Sequence, residues 1–510
     1  MTELTAAARR ALTATCTHWR DTDLDEFTTL ERGRPGHLEL LLEPETESEL
    51  AALVRVLREH GVATETIAGQ SGLVEAQRPH GVAIRMTRFD TVGEATLADG
   101  TTVAPGRLGD LAGRAPAELR GARIRVGAGA TIDAINEVLA PAGLKLPIVM
   151  GSTGSATAGA CAANGSAGAN AIRYGTAADM ARYVRGVLGT GEIVAQEVPR
   201  RPRLTDPEHC AIRADRFSHG ESLVGSQGAL GLITEVTYEV VPVARDQAVA
   251  LLPVPDVASA TYLREQLARR FDRGDTALEL FEIIARPTLH RALQHADRSL
   301  RDGTREAPWY ALALVVSDVA TGPSAFGSAF VEELATFLMM EALALDGDLI
   351  FPQGDFDFDH DPARLMEVRE ACSEMSRLLP KQAYDVVVPV ARLDGFVEAL
   401  EADVAAAHPE FQLGVFGHGG VGALHIHAIA PDQATVERAR DDLDRRVFDL
   451  VVAHGGSPWA EHGVGSKWGE EWQRRTPPEV QEQMLRLKRR CDPDNVLGSR
   501  LFGFDRLLAG

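Results

Sequence analysis

Apolar and polar positions in the first 240 residues alternate between the spacing of strands and the spacing of helices. Residues His37 to Leu42 form an apolar run that is typical of a strand. Thr46 has capping-box spacing to Glu49 and opens a helical pattern that ends at Gly61. The apolar residues of that pattern lie three and four positions apart: Leu50, Leu53, Val54 and Leu57. The pattern predicts a strand followed by a helix.

The same spacing predicts further elements up to Pro242. Strands are expected around Ile67 and over 82–86, 124–126 and 235–241, and Thr131 is expected to cap a helix that reaches Ala142. Residues 1–20 predict an amphipathic helix that lacks the apolar block of a secretion signal. From about residue 246 the chain changes to longer helices and separate strands. We therefore place a domain boundary at residues 243–248.

Two segments of the first half consist mainly of small residues. Residues 151–168 are almost all small side chains, and residues 225–234 are glycine-rich before a predicted strand. A flexible linker is one interpretation of the first segment. A ligand loop is the other, because small residues let a backbone approach a large ligand and turn N–H groups toward phosphates. Ala and Cys dilute the linker composition, and Thr157 and Asn164 offer polar contacts, so we favour the ligand loop.

Composition and charge narrow the classes of function. The chain has 510 residues, more than one hydrophobic core spans, and its net charge of -21 argues against a nucleic-acid partner. No run of residues approaches the roughly 20 apolar positions of a membrane span. The five cysteines are scattered without close pairs, which fits a reducing compartment and excludes a cysteine zinc cluster. We expect a cytoplasmic protein.

Candidate chemistry is concentrated in two short segments. Residues 411–430 predict a strand, a glycine turn and a second strand, so His418 should lie near His425, with His427 on the same face as His425. Glu461 and His462 form the second cluster. His418, His425 and Glu461 together are two imidazoles and one carboxylate, a standard ligand set for zinc, iron or manganese. Chance proximity among fifteen histidines is the alternative, and spacing alone leaves both open.

Several segments, in this order and spacing, resemble one family of flavoproteins. These proteins have a vanillyl-alcohol-oxidase type FAD domain and a C-terminal half of the D-lactate, glycolate or D-2-hydroxyglutarate dehydrogenase type. The resemblance covers residues 35–502. The segments that carry it are the two pyrophosphate-type loops at 68–73 and 155–175, the Gly-Ser-Gln-Gly block at 225–234, and the metal and catalytic segments at 417–425 and 460–463.

The resemblance implies an α+β fold with two main domains. It implies a PCMH-type FAD-binding domain of two α/β subdomains, followed by a cap domain with a central antiparallel sheet and flanking helices. The implied organisation is an N-terminal helical segment (1–34), the FAD-binding domain (35–245), a substrate and cap domain with a metal site (246–470), and a C-terminal segment that returns to the FAD domain (471–510).

The resemblance also implies that glycine-rich loops hold FAD through backbone contacts. The residues it places at the cofactor are Gly69, Gln70, Ser71, Gly72, Leu73, Ser152, Thr153, Ser155, Gly159, Ala162, Asn164, Gly228 and Ile233. No histidine occupies the usual attachment position of the first loop. We therefore expect noncovalent FAD.

Further roles follow from the same resemblance. His418, His425 and Glu461 match the metal ligands of the hydroxyglutarate branch, and His462 matches its catalytic base. Arg369 and Ser373 lie four apart, hence on one helix face, and match a clamp for the substrate carboxylate. An ordinary solvated helix charge is the alternative for Arg369. Lys381 matches a family lysine with a small displacement in the alignment.

The sequence departs from the family pattern at several positions. His427 replaces an asparagine that faces substrate, and we count it among the catalytic residues. The other departures concern the flavin loops and the C-terminal segment: Glu75 and Ala76 in place of two glycines, Gln227 in place of Glu, Ala160 in place of Asn, and Gly498-Ser499 in place of Asn-Pro.

The implied activity is oxidation of a D-2-hydroxyacid, D-lactate or D-2-hydroxyglutarate-like, to the 2-oxo acid, with metal-assisted hydride transfer to flavin. The expected electron acceptor is a quinone, an electron-transfer flavoprotein or oxygen, and the sequence is compatible with a homodimer. The lack of a dinucleotide fingerprint argues against NAD. Two alternatives stay open: a metal-free flavin oxidase of alcohols, phenols or sugars, and a non-catalytic flavin-binding subunit.

Overall fold

The fold is described from a computed structural model that covers most of the chain. The described residues are 4–29, 33–200, 208–210, 212–214, 217, 223–300, 306–323, 328–344, 357–359, 363–374 and 379–509. Among these residues, no helix combines the length and the apolar character that crossing a membrane requires.

The first subdomain is a four-stranded sheet with helices beside it. Its strands are β1 (Trp19–Arg20), β2 (His37–Leu42), β3 (Thr64–Ile67) and β4 (His80–Arg85), in the order β1-β2-β4-β3. Its helices are α1 (Ala6–Thr15), α2 (Asp25–Thr28) and α3 (Glu47–His60). β2 and β3 pair in parallel with β4. The predicted strand and helix over 37–61 are confirmed, with Gly61 left-handed at φ 62°.

The second subdomain is a six-stranded antiparallel sheet with a small two-stranded ribbon. The sheet contains β5 (Val92–Thr96), β6 (Thr102–Val103), β7 (Arg123–Gly127), β9 (Ala181–Leu188), β10 (Ile193–Glu197) and β11 (Gly231–Glu239). The ribbon joins β8 (Leu144–Lys145) to β12 (Val241–Pro242). The helices are α4 (Pro116–Leu119), α5 (Ile132–Leu139), α6 (Ala158–Asn164), α7 (Ala171–Tyr174) and α8 (Ala177–Met180). Ala158 and Ala162 of α6 are fully buried, so the small-residue segment is part of the fold and not a linker.

The cap domain is a seven-stranded antiparallel sheet with flanking helices. Its strands are β13 (Asp246–Val254), β14 (Thr276–Ala285), β15 (Trp309–Ser317), β16 (Asp357–Asp359), β17 (Lys381–Val387), β18 (Gln412–Gly417) and β19 (Ala423–Ile429), in the order β16-β13-β15-β14-β18-β19-β17. Its helices are α9 (Val257–Phe271), α10 (Arg286–Ala296), α11 (Ala329–Ala344), α12 (Ala363–Glu374), α13 (Leu393–Ala407) and α14 (Gln433–Ala453). The predicted fold class is therefore confirmed.

Several predicted element boundaries are wrong, and two of them have a clear physical cause. The N-terminal helix ends at Thr15, because Trp19 and Arg20 extend to pair with β2. The strand expected from residue 235 begins earlier, at Gly231, inside the glycine-rich block. Glycine is needed there because a Cβ on Gly231 would lie 2.6 Å from the carbonyl oxygen of Val187 on β9. Part of that block is therefore strand and not loop.

The C-terminal segment packs against the first subdomain. Its helices are α15 (Gly469–Arg475), α16 (Pro478–Cys491) and α17 (Phe504–Leu507). The amide of Thr64 on β3 donates to the carbonyl of Val496 at 2.7 Å, and its carbonyl accepts from Gly498 at 2.9 Å. Lys488, fully buried, donates to the carboxylate of Asp492 at 2.6 Å. Residues 496–498 thus extend the edge of the first sheet.

A buried carboxylate fixes the cap sheet to the second subdomain. Glu279 on β14 accepts hydrogen bonds from Lys145 (2.6 Å), Arg173 (2.9 Å), Tyr174 (3.0 Å) and Asn170 (3.2 Å). Burial alone would raise the pKa of Glu279, but the positive charges of Lys145 and Arg173 lower it. Glu279 is therefore an ionised side chain of the cap domain that is held by hydrogen bonds from the second subdomain.

Candidate active site

The predicted histidine hairpin is present in the cap sheet. β18 and β19 pair antiparallel, and His418 follows directly after β18. Gly417 has φ 141°, and a Cβ there would lie 2.8 Å from the carbonyl oxygen of Ala423, so this turn requires glycine. The rings of His418 and His425 are 5.7 Å apart between centroids, and His427 lies two positions along β19. The three histidines therefore lie close together.

Asp385 holds the loop that carries Glu461 and His462. Its Oδ2 accepts hydrogen bonds from the backbone N–H groups of Glu461 (2.9 Å) and His462 (2.7 Å). Asp385 lies on β17, directly opposite His425 on β19. Sequence reasoning did not identify Asp385. The available signal was a carboxylate directly before the apolar run 386–388 of a strand.

Glu461 lies at the centre of three imidazoles. Its Oε2 is 3.3 Å from Nε2 of His418, and its Oε1 is 3.1 Å from Nε2 of His425 and 3.4 Å from Nε2 of His462. Burial alone would raise the pKa of Glu461, but the neighbouring His418 and His425 lower it well below its usual range. The cluster is thus an ionised carboxylate surrounded by ring nitrogens.

The side chains around Glu461 fit a divalent cation in two overlapping arrangements. The first is the predicted set of His418, His425 and Glu461. The second keeps His425 and Glu461 and adds Asp385 and His462, with the four ligand atoms within 4.8 Å of one another. Three buried atoms of these side chains have no hydrogen-bond partner within the described part of the chain: Nε2 of His418, Oε2 of Glu461 and Oδ1 of Asp385. Such orphaned atoms need a partner, and imidazole with carboxylate suits zinc, iron or manganese.

A second buried carboxylate, Glu282 on β14, lies behind His418. Its Oε1 is 2.6 Å from Nδ1 of His418 and 3.3 Å from Nε of Arg369 on α12. Burial alone would raise the pKa of Glu282, but the charges of Arg369 and His418 hold it at about 2. Burial alone would lower the pKa of His418, but Glu282 and Glu461 raise it to about 10. Arg369 is 6% exposed, which excludes the solvated-charge interpretation.

Sequence reasoning also missed Glu282. The residue is a charged side chain in the middle of β14, whose other positions from 277 onward are nearly all apolar. A carboxylate in such a strand is buried, and a buried carboxylate requires a cationic or hydrogen-bonding partner. That reasoning predicts a buried charged network at β14, but it does not identify the residues that pair with the carboxylate.

One cavity brings the predicted flavin loops and the cap residues together. Its lining includes fourteen of the predicted site residues: Gly69, Gln70, Ser71, Gly72, Leu73, Ser152, Asn164, Arg369, Ser373, His418, His425, His427, Glu461 and His462. A second cavity is lined by Gly159, Asn164, Gly228 and Ile233, among others. The two cavities share Ala68, Gln77, Ala160 and Asn164, so they adjoin. Together they form a continuous site in which glycines of both predicted flavin loops expose backbone groups to a ligand.

The remaining predicted residues lie outside the lining of these two cavities: Thr153, Ser155, Ala162 and Lys381. Lys381 is the first residue of β17, four positions before Asp385, so the structure does not bring it to the histidine cluster. Ala162 supports the site through its backbone, since its carbonyl accepts from the amide of Gly225 at 2.9 Å.

Ser155, in the second flavin loop (155–175), packs directly against Gly69 in the first (68–73). A Cβ on Gly69 would lie 1.6 Å from the carbonyl oxygen of Ser155, far inside van der Waals contact. The two loops therefore touch through their backbones, and only glycine fits at position 69.

Gln227, one of the departures from the family pattern, connects the two domains. It has φ 55°, in the left-handed region. Its Oε1 accepts from the amides of Val464 (3.2 Å) and Gly465 (3.1 Å), and its Nε2 donates to the carbonyl of Ala214 (3.1 Å). An amide performs both roles in its neutral form, whereas a glutamate would need to be protonated to donate. The loop after His462 is thereby anchored beside the second cavity.

Comparisons with protein families agree with this geometry. Residues 38–196 match the FAD binding domain, and residues 243–500 match the FAD linked oxidases, C-terminal domain. With the two adjoining cavities, these matches define an FAD-dependent oxidoreductase. The second match covers just over half of the 510 residues, and the chain belongs to the FAD linked oxidase family.

Curated relatives are similar over most of their length. A D-2-hydroxyglutarate dehydrogenase of Xanthomonas citri pv. viticola is 26% identical over 379 residues, 73% of this chain and 74% of the relative. The mitochondrial D-2-hydroxyglutarate dehydrogenase of Bos taurus is 25% identical over 466 residues, 91% of this chain and 76% of the relative. A D-lactate dehydrogenase of Archaeoglobus fulgidus is 25% identical over 375 residues, 73% and 75% of the two chains.

Solved structures share the fold at low sequence identity. A p-cresol methylhydroxylase with substrate bound aligns with a TM-score of 0.65 and 10% identity, over 98% of this chain and 97% of that chain. An alkyldihydroxyacetonephosphate synthase aligns with a TM-score of 0.59 and 15% identity, over 97% and 85%. These similarities concern the fold and support the PCMH-type architecture that the sequence predicted.

Proposed function

We propose that this protein oxidises a D-2-hydroxyacid to the 2-oxo acid with noncovalent FAD and a divalent metal ion. One observation carries the proposal: the buried histidines, Glu461 and Arg369 line the same cavity as the flavin loop 69–73. The relatives named D-2-hydroxyglutarate dehydrogenase and D-lactate dehydrogenase support this substrate class at 25–26% identity.

Different residues of the chain have different proposed roles in the reaction: they bind the cofactor, the metal ion or the substrate, or accept a proton. The residues that line the two cavities would hold FAD, which would accept a hydride. His418, His425 and Glu461 would hold a divalent ion, which would polarise the hydroxyacid oxygens as a Lewis acid. The protein then has to bind the substrate carboxylate, orient the reacting carbon, exclude water and accept the hydroxyl proton.

His462 is the proposed acceptor of the hydroxyl proton. Its side chain is 26% exposed, whereas His418 is almost fully buried, so His462 can exchange a proton with water after turnover. Its Nδ1 is 3.5 Å from Oδ2 of Asp385, which orients the ring and stabilises its protonated form. Its ring stacks on His425 at 5.3 Å with an angle of 14°. Histidine is the side chain that most often serves as a general base in enzymes.

Arg369 and Ser373 are the proposed clamp for the substrate carboxylate. Both lie on α12 and line the cavity, and Nε of Arg369 is held 3.3 Å from Oε1 of Glu282. A guanidinium has five N–H donors, so its Nε can bind Glu282 while its terminal nitrogens bind a carboxylate. His427, also in the lining, is the proposed further contact to substrate.

The proposal is tested by anaerobic bleaching of the flavin spectrum. Purified protein, loaded with FAD and zinc or manganese, is mixed with D-lactate, D-2-hydroxyglutarate and their L enantiomers. We expect bleaching by at least one D-hydroxyacid and none by the L forms, and air, a quinone and an electron-transfer flavoprotein are then compared as oxidants. Bleaching by alcohols or phenols alone, unaffected by a chelator, would support the metal-free oxidase instead.

Arg369→Lys is expected to raise KM for the hydroxyacid roughly 10- to 150-fold, because a bidentate charge-assisted contact of about 1.5–3 kcal/mol is lost. Lysine is preferred to alanine because Glu282 is fully buried and would be left without a cation. Steady-state kinetics with saturating acceptor measures the change, and the FAD content should stay at the wild-type level.

Arg298→Lys is the matched control for Arg369→Lys. Arg298 contacts the same helix from outside, at 2.6 Å from Glu367, and its side chain is 48% exposed. This control should keep KM unchanged. Equal KM values for Arg369→Lys and wild type would show that Arg369 is not the carboxylate clamp.

A further inference from the structure

Glu282 contacts two functional side chains that come from different elements. It projects from β14, whereas His418 follows β18 and Arg369 belongs to α12. A single oxygen, Oε1, lies 2.6 Å from Nδ1 of His418 and 3.3 Å from Nε of Arg369. One buried carboxylate oxygen thus bonds both a proposed metal ligand and the proposed substrate clamp.

The contact with His418 decides which ring nitrogen is available. A carboxylate at 2.6 Å from Nδ1 retains a proton on that nitrogen, so Nε2 is the one that can bind a metal. Nε2 of His418 is buried, has no hydrogen-bond partner among the described residues and lies 3.3 Å from Oε2 of Glu461. The negative charge of Glu282 also makes the imidazole a stronger ligand.

The contact with Arg369 decides which way the guanidinium points. Because Nε is directed at Glu282, the terminal nitrogens are the ones left to reach into the cavity that Arg369 lines. The other oxygen of Glu282, Oε2, is buried and makes no hydrogen bond within the described part of the chain. A carboxylate with a purely structural role would have hydrogen-bond donors at both oxygens. Glu279, on the same strand, accepts from four donors.

We propose that Glu282 is a positioning residue shared by the metal site and the substrate clamp: it presents Nε2 of His418 to the metal and the terminal nitrogens of Arg369 to the hydroxyacid carboxylate. This inference rests on the proposed function. It predicts that one substitution weakens two properties that belong to different ligands.

The test uses Glu282→Gln and Glu282→Leu in the full-length, FAD-loaded protein. Glu282→Gln keeps an oxygen acceptor and removes the charge, whereas Glu282→Leu removes both. We expect zinc affinity, measured by competition with a chelator, to fall in the order wild type, Gln, Leu, with the Leu variant about 10- to 100-fold weaker. At saturating zinc, KM for the hydroxyacid should rise in the same order, because Arg369 is no longer oriented.

Glu279→Gln is the matched control, since Glu279 is equally buried and lies three positions earlier on β14. It should lower the melting temperature but leave zinc affinity and KM at wild-type values. If Glu282→Leu fails to hold FAD, the comparison of Glu282→Gln with Glu279→Gln decides.

The outcomes separate this inference from the proposed function. If wild type binds zinc and oxidises the hydroxyacid while both Glu282 variants match it, the proposed function stands and the positioning role is overturned. The role is also overturned if Glu279→Gln weakens zinc binding and raises KM as much as Glu282→Gln. If wild type itself neither binds zinc nor bleaches, the proposed function fails and this inference fails with it.

Discussion

Glu461→Gln is expected to lose bound metal and hydroxyacid turnover while it keeps FAD. His462→Asn is expected to keep both metal and FAD, but its kcat should fall about 10²- to 10⁴-fold. Glu461 contacts all three imidazoles, so its loss removes the central anionic ligand. His462 is the proposed base, so its loss removes proton transfer alone. Metal analysis by mass spectrometry, a flavin spectrum and kcat are measured on the same preparations.

His418→Ala and His425→Ala complete that comparison, because two ligand arrangements fit the site. With His418, His425 and Glu461 as ligands, His418→Ala loses metal and His462→Asn retains it. With Asp385, His425, Glu461 and His462 as ligands, the reverse is expected. His290→Ala is the control: it removes another imidazole of the cap domain, one that pairs with Glu306 on the surface at 3.1 Å, and should change nothing. Wild-type protein without bound metal would contradict both arrangements and favour the metal-free oxidase.

Gly69→Ala is expected to lower FAD affinity roughly 5- to 150-fold, because overpacking costs about 1–3 kcal/mol and the loop must move to relieve it. An added Cβ at this position would lie 1.6 Å from the carbonyl oxygen of Ser155. Both loops belong to the proposed flavin site, so their separation displaces backbone groups that contact the cofactor. Flavin fluorescence during titration of the apoprotein with FAD gives the dissociation constant.

Gly109→Ala serves as the control for Gly69→Ala. Gly109 lies in the same domain, is exposed, and has no heavy atom within 4 Å of the position an added Cβ would take. It should bind FAD as wild type does. If Gly69→Ala also binds FAD as tightly as wild type, the loop at 69–73 does not hold the cofactor.

Local features of the fold could be predicted because they depend on residues that are close together in the sequence. The strand at 37–42 and the cap at Thr46 follow from apolar spacing and from a hydroxyl that accepts the amide of Glu49. The hairpin with His418 and His425 follows from two strands around a glycine turn. In each case the residues that determine the structure are neighbours in the chain.

Long-range contacts could not be predicted in the same way. Glu282 lies 136 residues from His418, and Asp385 lies 76 residues from Glu461. Their positions depend on the order of strands in the cap sheet, which a single sequence does not reveal. The start of β11 was also missed, since glycines at 228 and 231 suggested a loop whereas the second one allows close approach of a neighbouring strand.

The edge contact between Thr64 and residues 496–498 has a consequence for folding during synthesis. The first sheet begins near residue 19, yet one of its edges is completed by a segment more than 400 residues later. Because a ribosome adds about 5–20 residues per second, the unfinished edge of β3 is exposed for roughly 20 to 90 seconds. During that time β3 presents unpaired N–H and C=O groups to other chains. Dilute expression at low temperature, or a chaperone that covers strand edges, should therefore improve the yield of soluble protein.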